Sequence, residues 1–191
     1  MAFPRVAIVQ APAAGEKMSG FIKIELHTAT LNDQPVVRNM VGYYIYDMSE
    51  HMKWPCQPNG TYDGCGDLDR YFKDPRNHAF LLKAGKELAG FALVDGAPTL
   101  PNVDFRIGEF FVVRKFRRTG AGAAIAQELF DRFQGRWQLD WLSDNAPAAA
   151  FWKKIVGDYS KGDFTTSTTR SPWGAEDVLF FKSRLLKKGN A

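Results

Sequence analysis

Cysteine and histidine are scarce in this chain, and it has no long apolar run. Cys56 and Cys65 are its only thiols, and 3 histidines occur in 191 residues. Two thiols with eight residues between them, and no histidine at ligand spacing, do not make a zinc site. A disulfide between them is compatible with the sequence, but free thiols in a reducing compartment are the expectation. No stretch approaches the roughly 18–20 apolar residues of a membrane-spanning helix. The tetrad Val6 to Val9 is too short for the core of a signal peptide. Internal repeats are absent as well, which excludes solenoids and propellers.

What is present describes a globular protein. Hydrophobic residues make up 45% and charged residues 24%, a balance unlike that of disordered or membrane chains. The length suits one domain with an ordinary core. The net charge of +4 is modest, but it is unevenly spread. Between Arg106 and Arg136 stand seven basic residues and three acids, whereas Tyr46 to Asp69 holds five acids and one lysine. Such a pairing suits an anionic ligand beside a cationic one. Two ordinary solvated faces would give the same pattern.

Periodicity orders the elements. Phe21 to Thr28 alternates as a strand, and Leu31 to Met52 carries Val37, Met40, Val41, Tyr44 and Met48 at helical spacing. Lys53 to Pro75 reads as loop with a short helix at Leu68 to Phe72. Ala79 to Leu82 and Leu88 to Val94 form a hairpin around Gly85, and Phe105 to Val113 is the next strand. A helix over Gly120 to Phe133 has Ile125, Leu129 and Phe133 along one stripe. Arg136 to Ser143 is a strand and Ala146 to Val156 a helix. Phe164 to Arg170 and Val178 to Ser183 are the closing strands.

The informative passage joins the fourth of these strands to the second long helix. After Phe110-Phe111-Val112-Val113 come the bases Arg114, Lys115, Arg117 and Arg118, then Thr119-Gly120-Ala121-Gly122-Ala123 at a helix start. Free N–H groups and the dipole at a helix start attract phosphate, glycines permit close approach, and arginines add forked donors. A dinucleotide fingerprint would need a small residue where Ile125 stands, and a P-loop would need Gly-Lys-Ser/Thr. Five basic and aromatic residues without a zinc, helix-turn-helix or RNA-binding signature make a small footprint for nucleic acid, so none is expected as partner. The plainest alternative is a glycine turn that only starts a helix.

Arg117-Arg118-Thr119-Gly120-Ala121-Gly122 resembles the Arg/Gln-x-x-Gly-x-Gly/Ala segment of the GNAT superfamily of acyl-CoA-dependent N-acyltransferases. Asn145-Ala146-Pro147-Ala148-Ala149-Ala150-Phe151-Trp152 is similar to that family's second segment, Asn-x-x-Ala-x-x-Phe-Tyr. The likeness in motif covers about residues 80–156, that in element order 20–185, and the first 19 residues have none. It implies an α/β fold with a mixed sheet of about seven strands and about four helices, splayed between the fourth and fifth strands. Residues 20–191 would form a single acetyltransferase domain, and 1–19 a mobile leader in which Met18 offers an alternative start.

The resemblance also implies a chemistry: direct transfer of acetyl from acetyl-CoA to an amine, with coenzyme A as product and no metal. The amides of Arg118 through Ala123 would hold the pyrophosphate. The Val112 N–H would face the thioester oxygen, and Phe111 and Val113 would frame the pantetheine. Thr119 either adds a hydroxyl to the phosphate site or caps the helix. Asn145 either binds pantetheine amides or is the N-cap of its helix. Glu109 is the candidate general base, with a substrate-binding or structural carboxylate as the alternative. Trp152 departs from the family's tyrosine, and an indole N–H cannot protonate a thiolate. Ser143, Tyr159 or water would then supply that proton.

Tyr43, Asp47 and Glu50, in an aromatic and acidic cluster with Tyr44, Tyr46 and Trp54, are the candidate contacts of a cationic acceptor. Ordinary helix packing with a solvated edge is the other reading of that cluster. A small-molecule amine is the leading acceptor. Protein lysine or N-terminal acetylation, and acyl-CoA binding without turnover, are the alternatives. A monomer or homodimer in the cytoplasm, with no membrane partner, completes the expectation.

Overall fold

The computed structural model describes residues 23–183, apart from 63, 65, 97, 99 and 100. The leader over 1–19, Met18, the first residues of the first strand and Cys65 lie outside the described residues. Strand β1 (Glu25–Thr28) leads through a 3-10 turn (Leu31–Asp33) into α1 (Gln34–Met52), followed by the short α2 (Arg70–Lys73). Three strands come next: β2 (His78–Ala84), β3 (Glu87–Asp95) and β4 (Phe105–Val112). A second 3-10 turn precedes α3 (Ala121–Arg132), then β5 (Arg136–Leu142), α4 (Ala146–Ser160), β6 (Phe164–Ser171) and β7 (Gly174–Lys182).

The seven strands form one sheet in the order β1-β2-β3-β4-β5-β7-β6. Every neighbouring pair is antiparallel except β4 and β5. That parallel pair is joined only at Phe105↔Trp137 and Arg106↔Gln138. Beyond those residues the strands part, so the sheet opens between its fourth and fifth strands. This is the expected mixed, splayed architecture.

Two apolar layers hold the sheet. On one face α3 and α4 cover Leu129, Phe130, Trp137, Leu139 and Leu179, all fully buried. Burial of each such side chain contributes about 1.5–3 kcal/mol. Trp137 is accepted there because its Nε1 donates to the Phe133 carbonyl at 2.8 Å. On the other face α1 packs Val37, Val41 and Ile45 against Phe91, Leu93 and Phe111. β4 therefore serves both layers, with Phe111 toward α1 and Ile107 toward α3 and α4.

The pairing of β3 with β4 shifts between Leu93 and Val94, so Gly108 is an extra residue in β4. A Cβ at Gly108 would lie 2.2 Å from the Tyr71 hydroxyl, so only glycine fits there.

Local chemistry sets the ends of α1. Thr30 N and Oγ1 both donate to Asp33 Oδ2, at 2.8 and 2.7 Å, and Pro35 sits in the first turn. Several boundaries differ from expectation, most clearly those of α4 and β7. Helix α4 continues to Ser160, and β7 begins at Gly174 instead of Val178. Residues 172–177 hold proline, glycine and acids, which read as loop. Pairing of Ser171 with Gly174 and of Leu142 with Glu176 recruits them into the sheet instead. Among the described residues no helix is long and apolar enough to cross a membrane.

Candidate active site

Where β4 and β5 part, a cleft of about 730 Å³ opens between the end of α1, the end of β4 and the starts of α3 and α4. Its wall on the β4 side is Phe110, Phe111 and Val112. Val113 N–H donates to the Ala89 carbonyl across the β3–β4 ladder at 2.8 Å. In an antiparallel ladder such pairing alternates. The backbone groups of Val112 and Phe110 therefore turn away from β3, toward the side that β5 has vacated.

The glycine loop forms the mouth of the cleft. Gly120, at φ 86°, is the N-cap of α3 and supplies no side chain, so the first amides of the helix are not capped by it. Helix geometry leaves the N–H groups of Gly122 and Ala123 without an intrahelical acceptor, and both residues line the cleft with Gly120. Arg118 holds a left-handed conformation, φ 62°, which is costly for a residue with a side chain. Arg117 and Arg118 both line the cleft. Thr119, Ala121 and Val113 do not. Thr119 Oγ1 donates to the Phe116 carbonyl at 2.8 Å and lies 3.4 Å from the Ala121 nitrogen, which is the helix-capping alternative. Ala121 is buried in the core beneath the loop.

Helix α4 supplies the opposite wall. Asn145 Oδ1 accepts from the Ala148 N–H at 3.0 Å, so the side chain is the N-cap of α4, while the residue also lines the cleft. Trp152 is 7% exposed and meets the Phe110 ring edge-to-face at 5.3 Å.

The α1 side departs from expectation. Asp47 lines the cleft, but its carboxylate is held by Arg114, at 2.7 Å, and by Arg117. Partial burial alone would raise the Asp47 pKa; the hydrogen bonds and charges of Arg117 and Arg114 outweigh that and hold it below the ordinary value. Its charge is thus neutralised inside the protein, so it does not present a free anion to an amine. Glu50 lines the cleft. Tyr43 does not, and is 66% exposed.

Glu109 lies outside the cleft's lining. It is half-buried opposite Leu93, two residues from Phe111 and so on the sheet face turned toward α1. Among the described residues no group of His, Cys, Asp or Glu could hold a metal ion.

The model of the acetyltransferase (GNAT) family matches residues 44–157, more than half of the chain. The chain belongs to the GNAT acetyltransferase family. The matched span runs from the cleft face of α1 to α4. Over 80 residues it is 40% identical to a mycothiol acetyltransferase of Streptosporangium roseum. That stretch is 42% of this chain and 23% of the relative, so the match spans about a quarter of the relative's length.

Solved structures share the GNAT fold at lower identity. An acetyltransferase from Thermus thermophilus superposes with a TM-score of 0.62 at 15% identity, covering 85% of this chain and 98% of its own. The ribosomal-protein-S18-alanine N-acetyltransferase of Escherichia coli gives 0.55 at 13%, covering 88% and 99%. A spermidine/spermine N-acetyltransferase of Vibrio cholerae gives 0.56 at 9%, covering 85% and 94%.

The sequence reading missed His51, which faces the same GNAT cleft. Its Nδ1 stands 3.7 Å from Asp144 Oδ1, at the start of the turn into α4. Tyr44, Met48 and His51 share one helical face and all line the cleft. That spacing was available in the sequence, but nothing there says the face is turned to the splay. The proton donors considered in place of the family tyrosine are placed elsewhere. Ser143 Oγ is bonded to Asp177 and Tyr159 Oη to Asp131, at 3.0 and 2.8 Å, and neither residue lines the cleft.

Proposed function

We propose that the chain moves the acetyl group of acetyl-CoA to the primary amine of a small molecule by direct attack in a ternary complex. One observation carries this reading. β4 leaves β5 beyond Arg106 and Gln138, and the backbone of Phe110 and Val112 turns into the gap beside the open start of α3. Bound acetyl-CoA would supply an activated thioester and a diphosphate. The chain's groups fit both parts. The Gly122 and Ala123 amides, the α3 dipole and the Arg117 and Arg118 side chains suit the diphosphate. The Val112 N–H is aimed to receive negative charge developing on a carbonyl oxygen. Phe110, Phe111 and Trp152 exclude water from that point.

Glu109, on the face turned toward α1 and outside the cleft's lining, takes a proton from the acceptor's ammonium through water, and the neutral amine so formed attacks the thioester carbonyl. A proton for the departing thiolate comes from a group other than Trp152. His51 and Tyr44 are the side chains on the α1 wall that can donate one. Two of the relatives are named for small acceptors, mycothiol and spermidine or spermine, and a third, named for a ribosomal protein, represents the alternative acceptor class. The chain would work as a single domain in the cytoplasm, as a monomer or homodimer.

Calorimetric titration with acetyl-CoA, with NAD and ATP in parallel, tests the donor. Selective micromolar binding of acetyl-CoA is expected, followed by thiol release on adding small primary amines. No heat with acetyl-CoA from folded protein overturns the donor assignment. Thiol release with lysine or N-terminal peptides, and none with small amines, overturns the acceptor class.

A further inference from the structure

A second cavity of about 640 Å³ lies below the splay, where β4 and β5 are still joined. Its floor is the outer half of the sheet and its rim carries α2 and the end of β3. Most of its charges are already matched. Arg106 grips Asp140 with two bonds of 2.7 Å and reaches Asp95 at 3.1 Å. Arg70 is the second partner of Asp95 at 2.9 Å, and Arg76 holds Asp74 at 2.6 Å. Four carboxylates line the cavity against three guanidiniums, and the one left over is Glu176. Glu176 accepts from Ser171 Oγ at 2.7 Å and makes no ion pair among the described residues.

The other end holds an unsatisfied acceptor. Gln138 is 7% exposed, and its Nε2 donates to Asp140 Oδ2 at 3.1 Å, which fixes the orientation of the amide. Its Oε1 is then buried with no hydrogen-bond partner among the described residues. A buried acceptor in that state costs free energy unless something donates to it. Gln138 pairs with Phe180 on β7, and Glu176 stands four residues earlier on the same strand. That separation is about 13 Å along the strand. Val178 and Phe180 share the sheet face with Glu176 and line the floor between the two polar ends.

We propose that this cavity binds an elongated aliphatic amine with a second hydrogen-bond donor about 10–13 Å from its ammonium. The ammonium pairs with Glu176, the methylenes lie over Val178 and Phe180, and the second donor satisfies Gln138 Oε1. Binding here needs neither acetyl-CoA nor turnover, so it stands or falls apart from the proposed reaction.

Calorimetry on the full chain without acetyl-CoA tests it, with 1,8-diaminooctane as probe. n-Octylamine lacks the second donor, and 1,8-octanediol lacks the charge. The diamine is expected to bind at least tenfold more tightly than either control. Gln138→Leu should reduce diamine affinity to that of n-octylamine while leaving n-octylamine unchanged. Glu176→Gln should weaken both amines about tenfold. Gln138→Leu also removes the unsatisfied acceptor, so without ligand it should melt no lower than the parent chain. Should it fail to fold, Gln138→Met carries the same test. Equal diamine binding by parent and both variants overturns the proposal. So does an absence of heat with any amine.

Discussion

Arg117 Nε donates to the carbonyl oxygen of Val112 at 2.6 Å, and the same guanidinium reaches back to Asp47 on α1. Arg117 thus ties the end of β4 to the helix across the cleft, with Arg114 as a second strap on Asp47. Asp47 partly neutralises Arg117 and Arg114 when no ligand is bound, and Arg117 is one of the two arginines offered to a diphosphate. Asp47 sets how readily Arg117 turns to a phosphate.

Replacing Asp47 by asparagine should tighten acetyl-CoA binding, by about threefold to tenfold at low salt, because Arg117 and Arg114 lose their internal anion. Calorimetry at two ionic strengths checks this, and the gain should shrink as salt rises. The variant should be slightly less stable, by about 1 kcal/mol for a pair of this exposure. Asp47 titrates below its ordinary value, so the stability it lends is present above the unfolded-state pKa of 3.8 and lost as pH falls through the lower folded-state value. The parent chain should lose stability below that point, and the Asp47→Asn protein should lose less there.

Glu109→Gln should lower kcat by about 100-fold with little change in the KM for acetyl-CoA, as expected for loss of a general base. The acid limb of the kcat–pH profile should disappear with it. A profile that keeps this limb and its maximal rate would make Glu109 a binding or structural carboxylate.

Two glycines separate function from fold. A Cβ at Gly122 would lie 3.2 Å from the Phe151 ring, on the cleft side of α3. Gly122→Val should therefore weaken acetyl-CoA binding more than tenfold with only a small change in Tm. A Cβ at Gly90 would lie 2.0 Å from the Phe111 carbonyl oxygen. Gly90→Ala should instead push β3 from β4 and destabilise the fold by about 3 kcal/mol, measured by urea unfolding.

Arg106→Met would leave Asp140 without its cation and Asp95 with Arg70 alone, and the two acid side chains are 15% and 8% exposed. The expected cost at pH 7 is about 3–5 kcal/mol, because each carboxylate keeps its burial and loses a cation.

How much was legible follows the range of the interactions. The glycine loop, the bases before it and the Asn145 cap are local patterns, and each maps to an element end in the structure. Trp152 in place of tyrosine was equally plain. Asp47 was not, because its partners lie 67 and 70 residues away and only the approach of α1 to the loop brings them together. The start of β7 was hidden because its first residues have loop composition and become strand only through pairing with β5 and β6.

By itself, the sequence determined the order of helices and strands, the open helix start and the basic loop beside it. Those depend on periodicity, capping and dihedral preference within a few residues. Tertiary structure alone decided where β4 leaves β5, that Asp47 answers Arg114 and Arg117, that His51 faces the cleft, and that Gln138 is buried with an acceptor unmet. Those depend on strand register and helix packing, in which contacts between distant residues are set by the energy of the whole fold.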